Sequence, residues 1–170
     1  MEIQLSQATI RSFRPSDAQS IARYANNRSI WRNMRDRLPH PYSVDDAVQF
    51  LEGFALKHPD TCFAISVEGE AVGSIGLELN GDIFYRTAEI GYWLGEPFWG
   101  RGIASAAVRA VTEYALANFD LCRIEAGVFE WNPASAHVLE KAGYVFEARL
   151  RKNVTKDGQT IDRLLYAYVV

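Results

Sequence analysis

The sequence predicts a mixed α/β domain of the α+β type, and three observations carry that prediction. Apolar residues recur at helical spacing in the first third; three strand-like runs joined by short turns fill the middle; and two more strand-like runs flank Lys156-Asp157-Gly158 at the end. In order, residues 5–13 (LSQATIRSF) read as a first strand. Ser16-Asp17-Ala18-Gln19 has the form of a capping box, followed by Ile21, Ala22 and Ala25 at helical spacing. Residues 27–35 continue as a second short helix, which Pro39 and Pro41 must end. Ser43 caps a further helix whose stripe is Val44, Ala47, Phe50, Leu51 and Phe54, reaching about Lys57. Residues 61–67, 71–80 and 83–94 read as strands, and their short loops imply antiparallel neighbours. The stretch GEPFWGRG leads into a helix over 102–118, with Ile103, Ala107, Val111, Tyr114 and Leu116 as core candidates. A strand at 122–129 and a helix from Asn132 to Ala142 follow, and Gly143 can end that helix in a left-handed turn.

At 170 residues the chain has the length of one domain, 1–170, able to bury a core without disulfides or a structural metal. It is 48% hydrophobic and 23% charged, which excludes disorder, collagen and coiled coil. A net charge of -3 disfavours a broad electrostatic grip on nucleic acid, so no direct nucleic-acid partner is expected. Cys62 and Cys122 lie in apolar runs and read as reduced core thiols of a cytosolic protein. No metal-ligand spacing occurs, and no metal is expected. The first residues lack a signal architecture, and no uncharged apolar run approaches the roughly 18 residues of a membrane span. A cytoplasmic chain with no membrane partner is therefore expected.

The segment most informative about chemistry is Trp99-Gly100-Arg101-Gly102-Ile103-Ala104-Ser105, between a strand and a helix. A helix start leaves backbone N–H groups unpaired and partly positive, and glycines let that backbone approach a diphosphate. Arg101 and Arg109 could add charge. The plain alternative is a glycine-rich connection and nothing more. A Walker loop is excluded, because no Gly-Lys-Ser/Thr follows. A dinucleotide fingerprint is closer, with Glu125 at a suitable distance, but a meander precedes the turn and too little chain follows for a doubly wound sheet.

In this strand–turn–helix setting, W-G-R-G-I-A resembles the acyl-CoA pyrophosphate loop of the GNAT superfamily of N-acetyltransferases, usually Q/R-x-x-G-x-G/A. TIRSFRPSDAQSIA, AEIGYWLGEPFWGRGIASAAV and NPASAHVLEKAGY extend the likeness over nearly the whole chain. Trp99 in place of Gln or Arg is similar to the ribosomal-protein N-terminal (alanine/serine) acetyltransferase branch. The resemblance implies the acyl-CoA N-acyltransferase fold: a twisted, mostly antiparallel sheet of about seven strands flanked by about four helices.

It also implies acetyl-CoA as co-substrate. Backbone N–H groups of Gly100, Arg101, Gly102, Ile103, Ala104 and Ser105 would hold the pyrophosphate, with Trp99 in the same cofactor-binding loop. Tyr92, Trp93 and Leu94 would offer backbone groups to the pantetheine, which lies in a gap between the 84–94 and 122–129 strands. Asn132 would contact the pantetheine region, or else only cap its helix ahead of Pro133. Where many relatives place a proton-donating Tyr, this sequence has Leu139. Ser135, at N-x-x-S, is then the candidate donor to the thiolate, against an ordinary first-turn Ser.

The amine must lose a proton, and Glu89 in T-A-E-I-G-Y-W is the first candidate base. It alternates with Gly91 and Trp93, so all three share a face if the strand is unbulged. An ion-paired strand Glu is the alternative. Glu125 and Asp162 are weaker candidates, and His137 reads as an exposed polar residue. On the acceptor side, residues 27–42 carry arginines beside Trp31, Met34 and Tyr42. Trp31, Arg32 and Tyr85 are the candidate substrate contacts, with Phe84 and Phe98 beside them; aromatic packing in the core is the alternative. The implied function is acetyl transfer from acetyl-CoA to a primary amine, first a protein N-terminal α-amine. Small amines (polyamine, amino acid, aminoglycoside) and a silent acyl-CoA-binding module stand as alternatives. The chain is expected as a monomer or homodimer.

Overall fold

The computed structural model describes residues 1–170. Its strands are β1 (Glu2–Gln4), β2 (Thr9–Ser12), β3 (Cys62–Val67), β4 (Glu70–Leu79), β5 (Thr87–Leu94), β6 (Arg123–Phe129), β7 (Val145–Lys156) and β8 (Gln159–Val169). The helices are α1 (Ala18–Ala25), α2 (Arg28–Trp31), α3 (Val44–Gly53), α4 (Ile103–Asn118) and α5 (Pro133–Lys141). The strands form one sheet in the order β1-β2-β3-β4-β5-β6-β8-β7, antiparallel at β1/β2, β2/β3, β3/β4, β6/β8 and β7/β8 and parallel at β5/β6. Eight strands thus stand where the sequence suggests about seven, and five α-helices where it suggests about four. No helix is long and apolar enough to cross a membrane.

The extra strand comes from the start of the chain. The Leu5 N–H donates to the Ala8 carbonyl at 2.8 Å, so residues 5–8 of the expected 5–13 strand are a turn that joins β2 to β1, a strand lying before the expected one. The capping box expected at Ser16 is also displaced. Asp17 stands at the start of α1 but turns its side chain backwards: its carboxylate accepts the Arg14 N–H at 2.8 Å, closing the 3-10 turn Pro15–Asp17, and pairs bidentately with Arg11 at 2.8 Å. Arg11 also donates to the Gly69 carbonyl and joins β2, the start of α1 and the β3–β4 turn. The box at Ser43 is present: Asp46 N–H donates to Ser43 Oγ, and Ser43 N–H and Oγ donate back to the Asp46 carboxylate. Those bonds from Ser43 hold the Asp46 carboxyl below the usual carboxylate range.

Residues 83–86 are not strand. Asp82 sits at φ +54, Asp82–Phe84 form a 3-10 turn, and β5 begins only at Thr87. The aromatic pair Phe84-Tyr85 imitates strand composition but lies on an exposed turn.

Two compact units divide the chain: Met1–Gly76 with Tyr92–Ala107, and Leu77–Gly91 with Val108–Val170. In the first, Phe13, Ile21, Ala25, Ala47, Leu51, Cys62 and Trp93 form a continuous apolar core. In the second, Val108, Val111, Ile124 and Leu139 are fully buried, and the Thr112 and Tyr144 hydroxyls meet at 2.7 Å. Of the expected α4 contacts, Ile103, Ala107 and Val111 are buried, whereas Tyr114 and Leu116 are half-buried.

Candidate active site

The glycine loop is built from backbone conformation. Gly100 (φ +73) and Gly102 (φ +77) lie in the left-handed region, and a Cβ at either would meet no atom within 4 Å. Glycine is required there by the turn itself, not by a neighbour. The loop leaves β5 through a 3-10 turn at Glu96–Phe98 and enters α4 with Ala106 N–H donating to Gly102 O. The amides of Ile103, Ala104 and Ser105 precede the first helical bond, and no acidic residue stands in that first turn. Such an array can accept an anion.

Three contacts that sequence spacing could not show brace this loop. The Trp99 indole N–H donates to the Leu94 carbonyl at 2.6 Å, closing the loop onto the strand that precedes it. Gln7 donates to Arg101 O at 3.0 Å and accepts from Arg101 Nε at 3.3 Å, while the guanidinium lies over the Phe98 ring. Asn27, the cap of α2, donates to Glu96 at 2.6 Å. Trp93 and Leu94 are buried, so their side chains belong to the core. The charge expected of Arg109 is engaged elsewhere, donating to Lys141 O at 2.7 Å at the end of α5.

Asn132 caps α5: its Oδ1 accepts the Ser135 N–H at 3.3 Å. Asn132 and Ser135 are therefore brought together in the first turn of that helix. Leu139 is fully buried. His137 is exposed, 3.9 Å from Glu140.

Glu89 lies within a parallel β5/β6 pairing of three positions, ending where Glu89 stands opposite Glu125. Gly95 N–H donates to Val72 O and Asn80 N–H donates to Thr87 O, beyond the two ends of the Glu89 segment. Arg163 Nη2 donates to Glu89 Oε1 at 2.9 Å. Glu125 accepts from Arg123 at 3.0 Å, and Arg123 also forks onto Glu147. Those bonds raise the Arg123 pKa and hold Glu147 below the carboxylate range. Asp162 is a clamp: the Lys152 N–H first, then Arg149, hold its carboxyl below the usual range, and they fix the β7 bulge where Lys152 adopts φ +50.

Of the acceptor candidates, Trp31 is half-buried, with Arg28 5.2 Å from its ring centroid and the His40 ring at 5.8 Å. Arg32 is exposed at the C-cap of α2. Tyr85 is 60% exposed on the turn beside Ile83 and Phe84, not in the strand where the sequence suggests it.

Residues 7–145 match the acetyltransferase (GNAT) domain family. Over 131 residues the chain is 29% identical to the ribosomal-protein-serine acetyltransferase of Escherichia coli (strain K12), spanning 75% of this chain and 73% of that protein. Over 161 residues it is 27% identical to the spermidine N(1)-acetyltransferase of Vibrio cholerae, spanning 92% and 90%. The solved structure of a ribosomal L7/L12 alpha-N-protein acetyltransferase in complex with coenzyme A has the same fold, with a TM-score of 0.87 at 20% identity and coverage of 100% of this chain and 98% of that one. The strand–glycine loop–helix connection thus stands in a GNAT fold; the chain belongs to the GNAT acetyltransferase family and is an acetyl-CoA-dependent N-acetyltransferase.

Proposed function

We propose that the acceptor is the N-terminal α-amine of a protein, a ribosomal protein first among them, and that transfer proceeds by direct attack. One observation carries this reading: Trp99 in the W-G-R-G loop occurs together with Ser135 on the Asn132 cap, while the tyrosine position is a buried Leu139. The ribosomal-protein-serine relative supports it.

In this scheme the amides of Gly100 to Ser105 hold the pyrophosphate, and Trp99 braces them. Backbone groups of Tyr92, Trp93 and Leu94 bind the pantetheine amides, and Asn132 contacts the same arm. Glu89 takes a proton from the acceptor ammonium. The neutral nitrogen attacks the thioester carbonyl, the C–S bond breaks, and Ser135 gives its hydroxyl proton to the leaving thiolate as it takes the proton that the attacking nitrogen sheds. Trp31, Arg32 and Tyr85 contact the acceptor.

Thiol release across a panel of N-terminal peptides and small amines tests the acceptor. Turnover of Ala- or Ser-initiated peptides, blocked by N-terminal acetylation, is expected. The spermidine relative favours a second reading, which faster turnover of spermidine than of every peptide would establish instead. Ser135→Ala and Glu89→Gln are each expected to lower kcat by about a hundredfold, with acetyl-CoA affinity little changed. Wild-type kcat in either variant removes that residue from the mechanism.

A further inference from the structure

Glu89 stands opposite a like charge. Glu125 faces it from β6 by register. Carboxylates directly across adjacent strands repel. Glu125 has Arg123 as counter-charge on its own strand. The cation that meets Glu89 comes from farther away: Arg163 on β8, whose register partner is Phe129 on β6.

To reach Glu89 the Arg163 side chain must lie across β6, and it does so over Gly127. A Cβ at position 127 would fall 1.9 Å from Arg163 Nε and 2.4 Å from Cζ and Nη2. No side chain larger than hydrogen leaves that path open. Glu125, Gly127 and Phe129 alternate onto one face of β6, the face that Arg163 crosses. The guanidinium and carboxylate are only 21% and 26% exposed, so the contact is largely shielded from water.

We infer that Arg163, laid over Gly127, is a positioning residue for Glu89: it fixes one carboxylate oxygen and thereby the direction of the other. This rests on Glu89 serving as the base. A planar guanidinium suits the task, because it directs its N–H groups in fixed directions where an ammonium does not. Gly127 is then part of the same device, kept small to leave the channel through which the arginine runs.

The glycine provides a test that alters neither partner. Gly127→Ala pushes away the far end of a flexible side chain at a strand position without positive φ, so the fold should tolerate it. With the best acceptor from the panel above, Gly127→Ala and Arg163→Met are each expected to lower kcat about tenfold or more, since small misplacements of reacting groups are costly in rate. KM for acetyl-CoA should stay within about twofold, and Arg163→Lys should recover part of the loss. Adding Gly127→Ala to Arg163→Met should cost nothing further, because both remove one contact. Wild-type kcat in Gly127→Ala and Arg163→Met, with Glu89→Gln impaired, overturns the positioning role and leaves the base assignment standing. Wild-type kcat in Glu89→Gln overturns the base assignment, and the positioning role falls with it. Additive losses in the double variant also count against a shared contact.

Discussion

Trp99 shows how one side chain can serve a site without a charge. Its indole N–H reaches back to the Leu94 carbonyl at 2.6 Å, so the last residue of β5 and the start of the glycine loop are tied before any ligand arrives. A loop closed in advance loses less conformational freedom on binding. Trp99→Phe keeps an aromatic ring and removes only the donor, a loss of about 1 kcal/mol for a hydrogen bond of this kind. Calorimetry should then show acetyl-CoA affinity falling about fivefold, with the melting temperature nearly unchanged because Trp99 is 45% exposed. Wild-type affinity in this variant would show that the tie does not organise the loop. At this scale the sequence revealed the unusual tryptophan and the paired glycines. It could not reveal the tryptophan's partner, nor that Arg101 engages Gln7, 94 positions away, since those contacts exist only once distant strands have met.

Elements in this fold are fastened by buried polar groups as well as apolar stripes. Arg11 and Asp17 are 4% and 5% exposed and bond bidentately, with Arg11 also holding the Gly69 carbonyl. The clamp is incomplete, because Arg11 Nε is buried without a partner. Asp17→Ala leaves a guanidinium buried without its counter-charge and should cost about 3–5 kcal/mol. In urea titrations the midpoint should fall sharply for Asp17→Ala. The double variant Arg11→Met/Asp17→Leu should recover much of that loss, since an apolar pair avoids the desolvation cost. Equal midpoints for the single and double variants would assign the loss to packing alone. Sequence pattern located α1 from Ile21, Ala22 and Ala25, yet assigned its start to Ser16 because the capping-box spacing was local. The Asp17 carboxylate is engaged instead by the Arg14 N–H and by Arg11 on β2. The turn at 82–84 imitates a strand for the converse reason: Ile83, Phe84 and Tyr85 have strand composition, and only the backbone at Asp82, φ +54, shows the chain turning.

Across the molecule, the net charge of -3 is an average that conceals how individual groups are held. The order of elements was legible because it rests on hydrophobic period and on the glycines that end helices and turns. The charge pairings were not, since Arg163 and Glu89 lie 74 positions apart and each had several possible partners. The same distinction governs the pH response of stability. Burial pushes the Cys62 thiol from 9.0 up to about 11, against the opposing effects of Ser74 and Arg37. Burial, then Asp46, pushes the Tyr42 hydroxyl from 10.0 up to about 12. Both groups are acids whose folded pKa exceeds the unfolded one, so the neutral forms are favoured by folding. Their contribution is complete below about pH 7.5, a full unit under the pKa of an unfolded thiol. It is lost as pH rises, because the unfolded chain ionises first and gains free energy that the folded chain cannot match. The thiol's share amounts to roughly 3 kcal/mol between about pH 8.5 and 11, with Tyr42 extending the loss to higher pH. Urea unfolding from pH 7 to 10.5 should therefore show a falling alkaline limb in the wild-type chain. Cys62→Ala should begin lower at pH 7, from the lost volume, but stay flat until the Tyr42 hydroxyl of the unfolded chain begins to ionise at about pH 10. A variant that kept the wild-type slope between pH 8.5 and 9.5 would show that the buried thiol does not set this limb.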